Sequence, residues 1–197
     1  MATQGRRPGG RKRADAERNI ATIVSAATEC FARDPDVSMS GIAKAAGLGR
    51  VTLYSHFPSR EDVLRAVLDA SIAEGTDVIE AAAPHQGPPA EAFARLIRSC
   101  WPMLSRFGGL HTAAQRALTA DEVRRYHDEP MAHVERLIDR GQKEGAFRAD
   151  LPVDWLVTTV YSLLHTASGE VAAGRMAAEN VGEILEKTLL AVLRPIS

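Results

Sequence analysis

One stretch, residues 38–57, constrains the fold of this chain more than any other part. It reads S-M-S-G-I-A-K-A-A-G-L-G-R-V-T-L-Y-S-H-F. Its first half carries an apolar stripe at helical spacing, formed by Ile42, Ala43 and Ala46. Gly47 can take the left-handed conformation that ends a helix, and on a second short helix Leu53 and Phe57 (i, i+4) point one way. Two short helices joined by a glycine-containing turn predict a helix-turn-helix, whose second helix fits the DNA major groove.

The same residues resemble a known family. The run I-A-K-A-A-G-L-G-R-V-T-L-Y-S-H-F, preceded by a basic arm and a helix and followed by S-R-E-D-V-L, is similar to the DNA-binding domain of TetR-family transcriptional regulators. The core T-L-Y-x-H-F, at its distance after I-A-x-x-A-G, carries the specificity, because any pair of antiparallel helices can mimic a lone helix-turn-helix pattern. The resemblance covers about residues 16–66, and beyond them it is one of helical architecture and length.

Arg50 and Val51 open the second helix of the motif on the side away from Leu53 and Phe57, so we predict that they read bases. A guanidinium can donate two hydrogen bonds to guanine O6 and N7, and a valine can touch a thymine methyl group. The resemblance assigns these two positions to base reading. The alternative is an ordinary exposed arginine beside a packed valine.

Further candidate DNA contacts follow from the resemblance. Thr52, Tyr54 and His56 match positions at which the family contacts the DNA backbone, and their polar groups are adequate phosphate donors. The alternatives are a half-buried tyrosine and an ordinary surface histidine. Arg60 stands where the family usually has lysine, at the start of the next helix, and its charge suits a phosphate. Two weaker candidates are Lys44 and Ser55.

The net charge of −1 hides an asymmetry along the chain. Residues 1–60 carry ten Lys or Arg and five Asp or Glu, which leaves fourteen of the 24 bases and twenty of the 25 acids in residues 61–197. A basic head on an acidic body is typical of a protein that binds a polyanion. Residues 1–14 are rich in basic residues and glycine, and we predict a disordered arm that contacts the minor groove or phosphates, with a solvated tail as the alternative.

Composition and cysteine use restrict the compartment. Cys30 and Cys100 are too few for a disulfide framework and lie outside any metal-ligand spacing, so we expect reduced thiols. The chain has no run of about 18 apolar residues that could span a membrane. Its basic N-terminus lacks the apolar segment of a signal peptide. The expected location is the cytoplasm.

Hydrophobic periodicity predicts an all-α fold of about nine helices. Besides the two helices of the motif, helical spacing covers residues 15–33, 61–82, 90–107, 110–118, 120–144, 153–173 and 177–193. Gly108 and Gly109 are predicted to separate two of these helices. We expect residues 15–60 to form the DNA-binding domain and residues 61–197 to form a ligand-binding and dimerisation domain, entered through a connecting helix over residues 61–82.

The last two predicted helices are apolar on more than one face. The first of them carries a stripe of large residues and a second stripe of small ones, whereas a single stripe would serve the core of a monomer. We therefore predict a four-helix seam between two copies, which the resemblance also implies, with a fully buried internal helix as the alternative. The predicted interface residues are Ser162, Thr166, Gly169, Ala173, Ile184, Leu185, Leu189 and Val192.

A group of apolar and aromatic residues with a few polar tips surrounds Pro102, which should kink its helix. These residues are candidates for the wall of a small-molecule pocket, although each could instead belong to the core. They are Trp101, Met103, Phe107, His111, Gln115, Trp155, Tyr161 and His165. The resemblance implies that the effector is a hydrophobic or aromatic molecule.

The motif and the resemblance together predict a homodimeric, ligand-responsive transcriptional repressor that binds a pseudo-palindromic double-stranded operator. An activator, or a regulator without a small-molecule effector, is the alternative, and an adaptor that has lost DNA affinity is a third hypothesis. We predict no enzymatic activity, no cofactor and no metal site. His127 and His133 are six residues apart and share no helix face, and the sequence has no metallopeptidase, nucleophile-elbow or phosphate-loop motif.

Overall fold

The computed structural model describes residues 8–196 and the side chains of residues 13–196. Within these residues the chain folds into nine helices and no strand, which confirms the predicted fold class. They are α1 (Pro8–Arg33), α2 (Met39–Ala45), α3 (Arg50–His56), α4 (Arg60–Ala81), α5 (Pro89–Arg106), α6 (Gly108–Ala117), α7 (Ala120–Lys143), α8 (Val153–Ala172) and α9 (Ala178–Leu193). None of these helices has both the length and the apolar content that crossing a bilayer requires.

The first helix starts earlier than periodicity predicts, at Pro8 instead of Asp15. Residues 11–14, Arg-Lys-Arg-Ala, are good helix formers even where no apolar face is needed, and Pro8 suits the first turn of a helix, although Gly9 and Gly10 do not favour one. Arg13 also pairs with Glu17 one turn further on. The prediction of a disordered arm is therefore wrong for residues 8–14, and its remaining part, residues 1–7, lies outside the described residues.

We call α1, α2, α3 and the first half of α4 the head. The turn between α2 and α3 forms as its residue types dictate: the Ser38 hydroxyl accepts a hydrogen bond from the Gly41 amide at the start of α2, and Gly47 has a φ of +65° at its end. Each helix of the head contributes fully buried side chains to one core, namely Ile23, Phe31, Ile42, Leu53 and Leu64.

Helices α6 and α7 of the body also contribute side chains to the core of the head. Leu110 and Ala113 of α6 and Val123 of α7 belong to the same buried cluster. A three-helix unit of about 50 residues buries too little surface to be more than marginally stable. The body therefore supplies part of the packing that holds the helix-turn-helix in shape.

One helix, α4, belongs to both parts of the molecule. A capping box formed by Ser59 and Asp62 starts it, as the S-R-E-D pattern predicts. Val63 and Val67 at this end are buried in the head core, whereas Ile79 near the other end is buried in the core of the body. One continuous helix thus joins the core of the body to the core of the head.

Gly108 and Gly109 form the first turn of α6. The prediction that they separate two helices is therefore wrong. A Cβ built on Gly109 would lie 2.4 Å from the carbonyl oxygen of Phe31, and one built on Gly108 would lie 2.5 Å from the carbonyl oxygen of Ser168. Only glycine permits such close contact between backbones. The pair therefore allows α6 to touch α1 on one side and α8 on the other.

Candidate functional site

The short helix α3 has one buried face and one exposed face. Leu53 is fully buried, and Phe57 just after the helix is 8% exposed. On the other face Val51 is 85% exposed and Tyr54 is 47% exposed, and Arg50 is exposed beside them. A helix of seven residues is roughly 10 Å long, so its outer face fits within the width of a DNA major groove.

The remaining predicted DNA contacts differ in how freely their side chains are presented. Lys44 is exposed on α2, and Thr52 and His56 are half-buried on α3. Ser55 is exposed, but its hydroxyl donates a hydrogen bond of 2.7 Å to the carbonyl of Thr52 and is partly engaged within the helix. Apart from Arg60, all the side chains predicted to meet DNA lie on α2 or α3.

Arg60 has a different environment. Its Nε donates a hydrogen bond of 2.9 Å to the carbonyl of Val37, and a terminal nitrogen donates to the carbonyl of Pro35. The guanidinium carbon also lies 5.0 Å from the centre of the Phe31 ring, in a cation–π contact. These contacts tie the start of α4 to the loop between α1 and α2. The structure thus gives Arg60 a role in the stability of the head and no support for the predicted phosphate contact.

The predicted dimer residues do not all lie on one surface. Ser162, Thr166 and Ala173 are exposed on the outer side of α8 and its end, Gly169 is half-exposed, and Ile184 on α9 is 49% exposed. Val192 is half-buried.

Leu185 and Leu189 are 5% and 0% exposed and lie in the core of the body, so their assignment to an interface is wrong. The inner half of the wide apolar arc on α9 serves the monomer, which spacing alone does not reveal.

The body contains an open cleft and two narrow internal cavities. The cleft, of about 550 Å³, lies between α6, α7 and α8, and the internal cavities measure about 80 and 60 Å³. Ser71 and Ile72 of the connecting helix α4 line both internal cavities. His127 of α7 lines all three spaces, so it stands at the wall between the cleft and the interior.

Six of the eight residues predicted to line a pocket do so: Gln115, Tyr161, Met103, Phe107, His111 and His165. Trp101 lines none of these spaces and lies in the core of the body, so the prediction is wrong for Trp101. Trp155 borders a separate, shallow depression of about 400 Å³ at the start of α8. The Trp101 indole N–H donates a hydrogen bond of 2.9 Å to the carbonyl of Ala178, and its ring lies against Gly182, so it fastens α5 to α9. Trp155 is 60% exposed at the start of α8.

Sequence reasoning missed the part of the wall that comes from α4 and α7. The largest omission is His127, whose spacing from His133 indicates no shared helix face. Its position on the buried stripe that includes Val123 and Val134 could have placed it in the interior. The apolar residues at helical spacing around a histidine predict that it is buried, whereas the spacing between two histidines does not.

Three histidines meet at this wall, one from each of three helices. The ring of His111 in α6 is stacked on that of His165 in α8, with 3.9 Å between the ring centres. The ring of His127 in α7 stands edge-on to His165, with 4.8 Å between centres. Tyr161 packs against the group, and its ring centre is 4.4 Å from that of His165.

Burial keeps these imidazoles neutral. It lowers the pKa of His165 to about 2 and that of His111 to about 4, and neighbouring imidazoles add to both shifts. Burial also lowers the pKa of His127, against the effect of its hydrogen bond to Val123. That bond, of 2.8 Å, joins Nδ1 to a carbonyl oxygen, so Nδ1 carries the proton and Nε2 keeps its lone pair.

The fold and these two regions define a class of protein: a helix-turn-helix DNA-binding head joined by one shared helix to a helical body with internal cavities. Residues 23–67 match the family model described as bacterial regulatory proteins, tetR family. The head of this chain therefore matches the DNA-binding domain of TetR-family transcriptional regulators, as its motif predicts.

Known relatives agree with this assignment. The transcriptional repressor LfrR of Mycolicibacterium smegmatis is 36% identical over 83 residues, which cover 42% of this chain and 44% of LfrR. The transcriptional regulator EthR of Mycobacterium tuberculosis is 27% identical over 172 residues, which cover 81% of this chain and 79% of EthR. The match to LfrR thus spans less than half of that relative's length.

The fold is also that of a solved structure. The crystal structure of LfrR from Mycobacterium smegmatis in complex with proflavine superimposes with a TM-score of 0.72 at 24% sequence identity. The superposition covers 92% of this chain and 98% of the LfrR chain. The likeness therefore extends over the whole body as well as the head, although at this identity it is a likeness of fold.

Proposed function

We propose that this protein is a homodimeric transcriptional repressor that binds a pseudo-palindromic operator with the outer face of α3. The observation that carries the proposal is the exposure of Arg50, Val51 and Tyr54 on one side of a helix whose other side is buried. An exposed valine beside an exposed arginine gains nothing from the packing of the chain itself. Both residue types match base edges in the major groove, where arginine pairs with guanine and an apolar group meets a thymine methyl.

The other side chains of the motif take backbone roles in this proposal. Tyr54, Thr52 and His56 donate to phosphates and fix the position of α3 in the groove, and the exposed charge of Lys44 adds a phosphate contact from α2. Ser55 contributes least, because its hydroxyl already bonds to the backbone. Arg50 and Val51 are then left to carry sequence preference.

Replacing Arg50 with alanine is expected to reduce operator discrimination by about 1–3 kcal/mol, because a bidentate contact to guanine is lost. The measurement is competition between an operator, selected from random duplexes with the wild-type protein, and a scrambled duplex at fixed salt. Arg125→Ala, which removes the same charge from an exposed site on α7, should leave this ratio unchanged. Equal discrimination by Arg50→Ala and the wild type would contradict the assignment of Arg50 to base reading.

We infer that the second copy packs on the outer side of α8 and α9. Ser162, Thr166 and Gly169 give α8 a flat outer surface that another helix can approach closely, and Ile184 lies exposed on neighbouring α9. A pair of helices from each copy forms a four-helix seam with a twofold axis. The same axis relates the two heads, which is what a pseudo-palindromic operator requires.

Thr166→Arg is expected to convert the dimer to a monomer, because each copy brings a charged, bulky side chain into the seam, where charges are costly to desolvate. Thr166 is exposed in the monomer, so the fold of each chain should be unaffected. Sedimentation velocity at micromolar concentration measures the change, and operator affinity should fall with it. Ser99→Arg, on the exposed side of α5, is the matched control. A dimeric Thr166→Arg protein would place the interface elsewhere.

The proposed effector is a small, largely apolar molecule that contains an aromatic ring. The internal cavities are lined mainly by apolar side chains, with the rings of His165 and Tyr161 available for stacking. The complex of LfrR with proflavine supports an aromatic ligand for the same fold. At about 80 and 60 Å³ the cavities are smaller than the 300–1,000 Å³ usual for ligand pockets, so an effector must displace their walls.

The wall that moves includes the connecting helix. Ser71 and Ile72 line both cavities and Gly75 lines the larger one, whereas the opposite end of α4 is buried in the head. An effector that displaces α4 therefore changes the position of α3 relative to its copy. It releases the operator only if it binds this displaced arrangement more tightly than the DNA-bound one, since equal affinity shifts nothing.

A further inference from the structure

We propose that His111, His127 and His165 form a binding site for a divalent transition-metal ion of the zinc type. Each residue offers one ring nitrogen, and these three nitrogens lie within 4.8 Å of one another. The three ligands come from three different helices, α6, α7 and α8. This function goes beyond operator and effector binding and does not depend on either.

The geometry is close to that of a bound site. Zinc bound to imidazole at 2.0–2.1 Å in a tetrahedron holds its ligand nitrogens about 3.4 Å apart. Nitrogens that are 4.8 Å apart must therefore approach by about 1.4 Å, which rotation of the rings about their broad terminal torsions can provide. The stacked rings of His111 and His165 have their centres 3.9 Å apart, and since imidazole lone pairs lie in the ring plane, one ring must also turn out of the stack for both nitrogens to face the ion. His127 already stands edge-on to His165.

The protonation state of the three imidazole rings is also the one that metal binding requires. A metal binds the neutral imidazole, and burial lowers the pKa of all three residues, so protons do not compete at neutral pH. The Nδ1–H of His127 donates to the backbone carbonyl of Val123, which fixes the tautomer that offers Nε2. Metal-bound histidines nearly always have such a second hydrogen bond.

The polar groups of the cluster lack other partners. Of the three histidines, His127 alone makes a hydrogen bond within the described part of the protein, and that bond uses one of its two nitrogens. The three side chains are half-buried, and a bound cation would give one nitrogen of each ring a partner at once.

The ligand set restricts which ion fits. Three neutral nitrogens with no carboxylate among them suit zinc, cobalt, nickel or copper, whereas magnesium and calcium require oxygen ligands. Three protein ligands leave one position of a tetrahedral site for water or another molecule. Because His127 also lines the open cleft, an ion can reach the site from solvent.

The test uses the full-length protein, freed of metal with a chelator, and cobalt(II) as a spectroscopic probe. The expected result is one cobalt per chain with the intense visible absorption of a tetrahedral ion, displaced by zinc, together with a rise in melting temperature. His127→Asn removes Nε2 but keeps an amide that can donate to Val123, and it should lower cobalt affinity at least tenfold. His165→Phe should do the same, while His133→Asn on the same helix as His127 should not.

Each outcome of this test decides the proposal. Cobalt uptake that is absent, or that persists unchanged in His127→Asn, would overturn it and indicate binding to surface carboxylates. Melting of metal-free His127→Asn and His165→Phe reports whether each variant is folded, and the first keeps the backbone hydrogen bond for that reason. Proflavine is added to separate samples: stabilisation by proflavine without cobalt uptake would overturn the metal site and leave the effector cavity standing.

Discussion

Gly109→Val is expected to destabilise the protein by about 3 kcal/mol, the upper end of the usual cost of overpacking. A Cβ at this position would lie 2.4 Å from the carbonyl oxygen of Phe31 and 2.5 Å from that of Ala32, and real Cβ atoms do not approach other atoms below 3.0 Å. Both oxygens belong to the backbone of α1, so no side-chain rotation relieves the clash. The two helices must separate.

The separation also affects the head. Leu110 and Ala113 of α6 belong to the head core, and they must move with their helix. We therefore expect weaker operator binding as well as a lower midpoint in urea denaturation. Gln115→Val, at an exposed position of the same helix, controls for the helix propensity of valine and should cost a few tenths of a kcal/mol. A Gly109→Val protein as stable as this control would show that α6 does not rest on α1.

The same glycines show what the sequence could not predict. A Gly-Gly pair indicates a break when only neighbouring residues are considered, because glycine is a poor helix former. In the folded protein the two glycines allow close contact of α6 with α1 and α8, which are distant in sequence. The wrong assignment of Leu185 and Leu189 to the interface also results from contacts with helices distant in sequence. The apolar arc on α9 does not indicate which of its residues pack in the monomer core and which are left for another molecule.

The elements whose signals are local were predicted well. The helix-turn-helix, the cap at Ser59 and the buried Leu53 and Phe57 follow from residues within a few positions of one another. The histidine cluster could not be predicted in this way. Its members come from α6, α7 and α8, and only the packing of those helices brings His111, His127 and His165 together.

The loop between α4 and α5 is held by hydrogen bonds from two arginines, which no local sequence pattern predicts. Backbone carbonyls of six consecutive residues, 82–87, accept hydrogen bonds from two arginines. Arg95 donates to Ala82, Ala83 and Gln86 over 2.7 to 2.9 Å, and Arg140 donates to Pro84, His85 and Gly87 over 3.0 to 3.1 Å. The two guanidinium groups therefore fasten the end of α4 that is remote from the head.

Arg140→Met is expected to lower the free energy of unfolding by about 2–3 kcal/mol. Hydrogen bonds to a charged group are worth about 1.5–3 kcal/mol each, and water can replace part of the three that are lost because the loop is partly exposed. Arg98→Met is the matched control, since Arg98 makes a surface ion pair with Glu186 that is worth at most about 1 kcal/mol. Urea denaturation of both variants measures the difference. Equal midpoints would mean that water serves the loop carbonyls as well as Arg140 does, and that the remote end of α4 is held by the apolar packing of Ile79 and Ala82 alone.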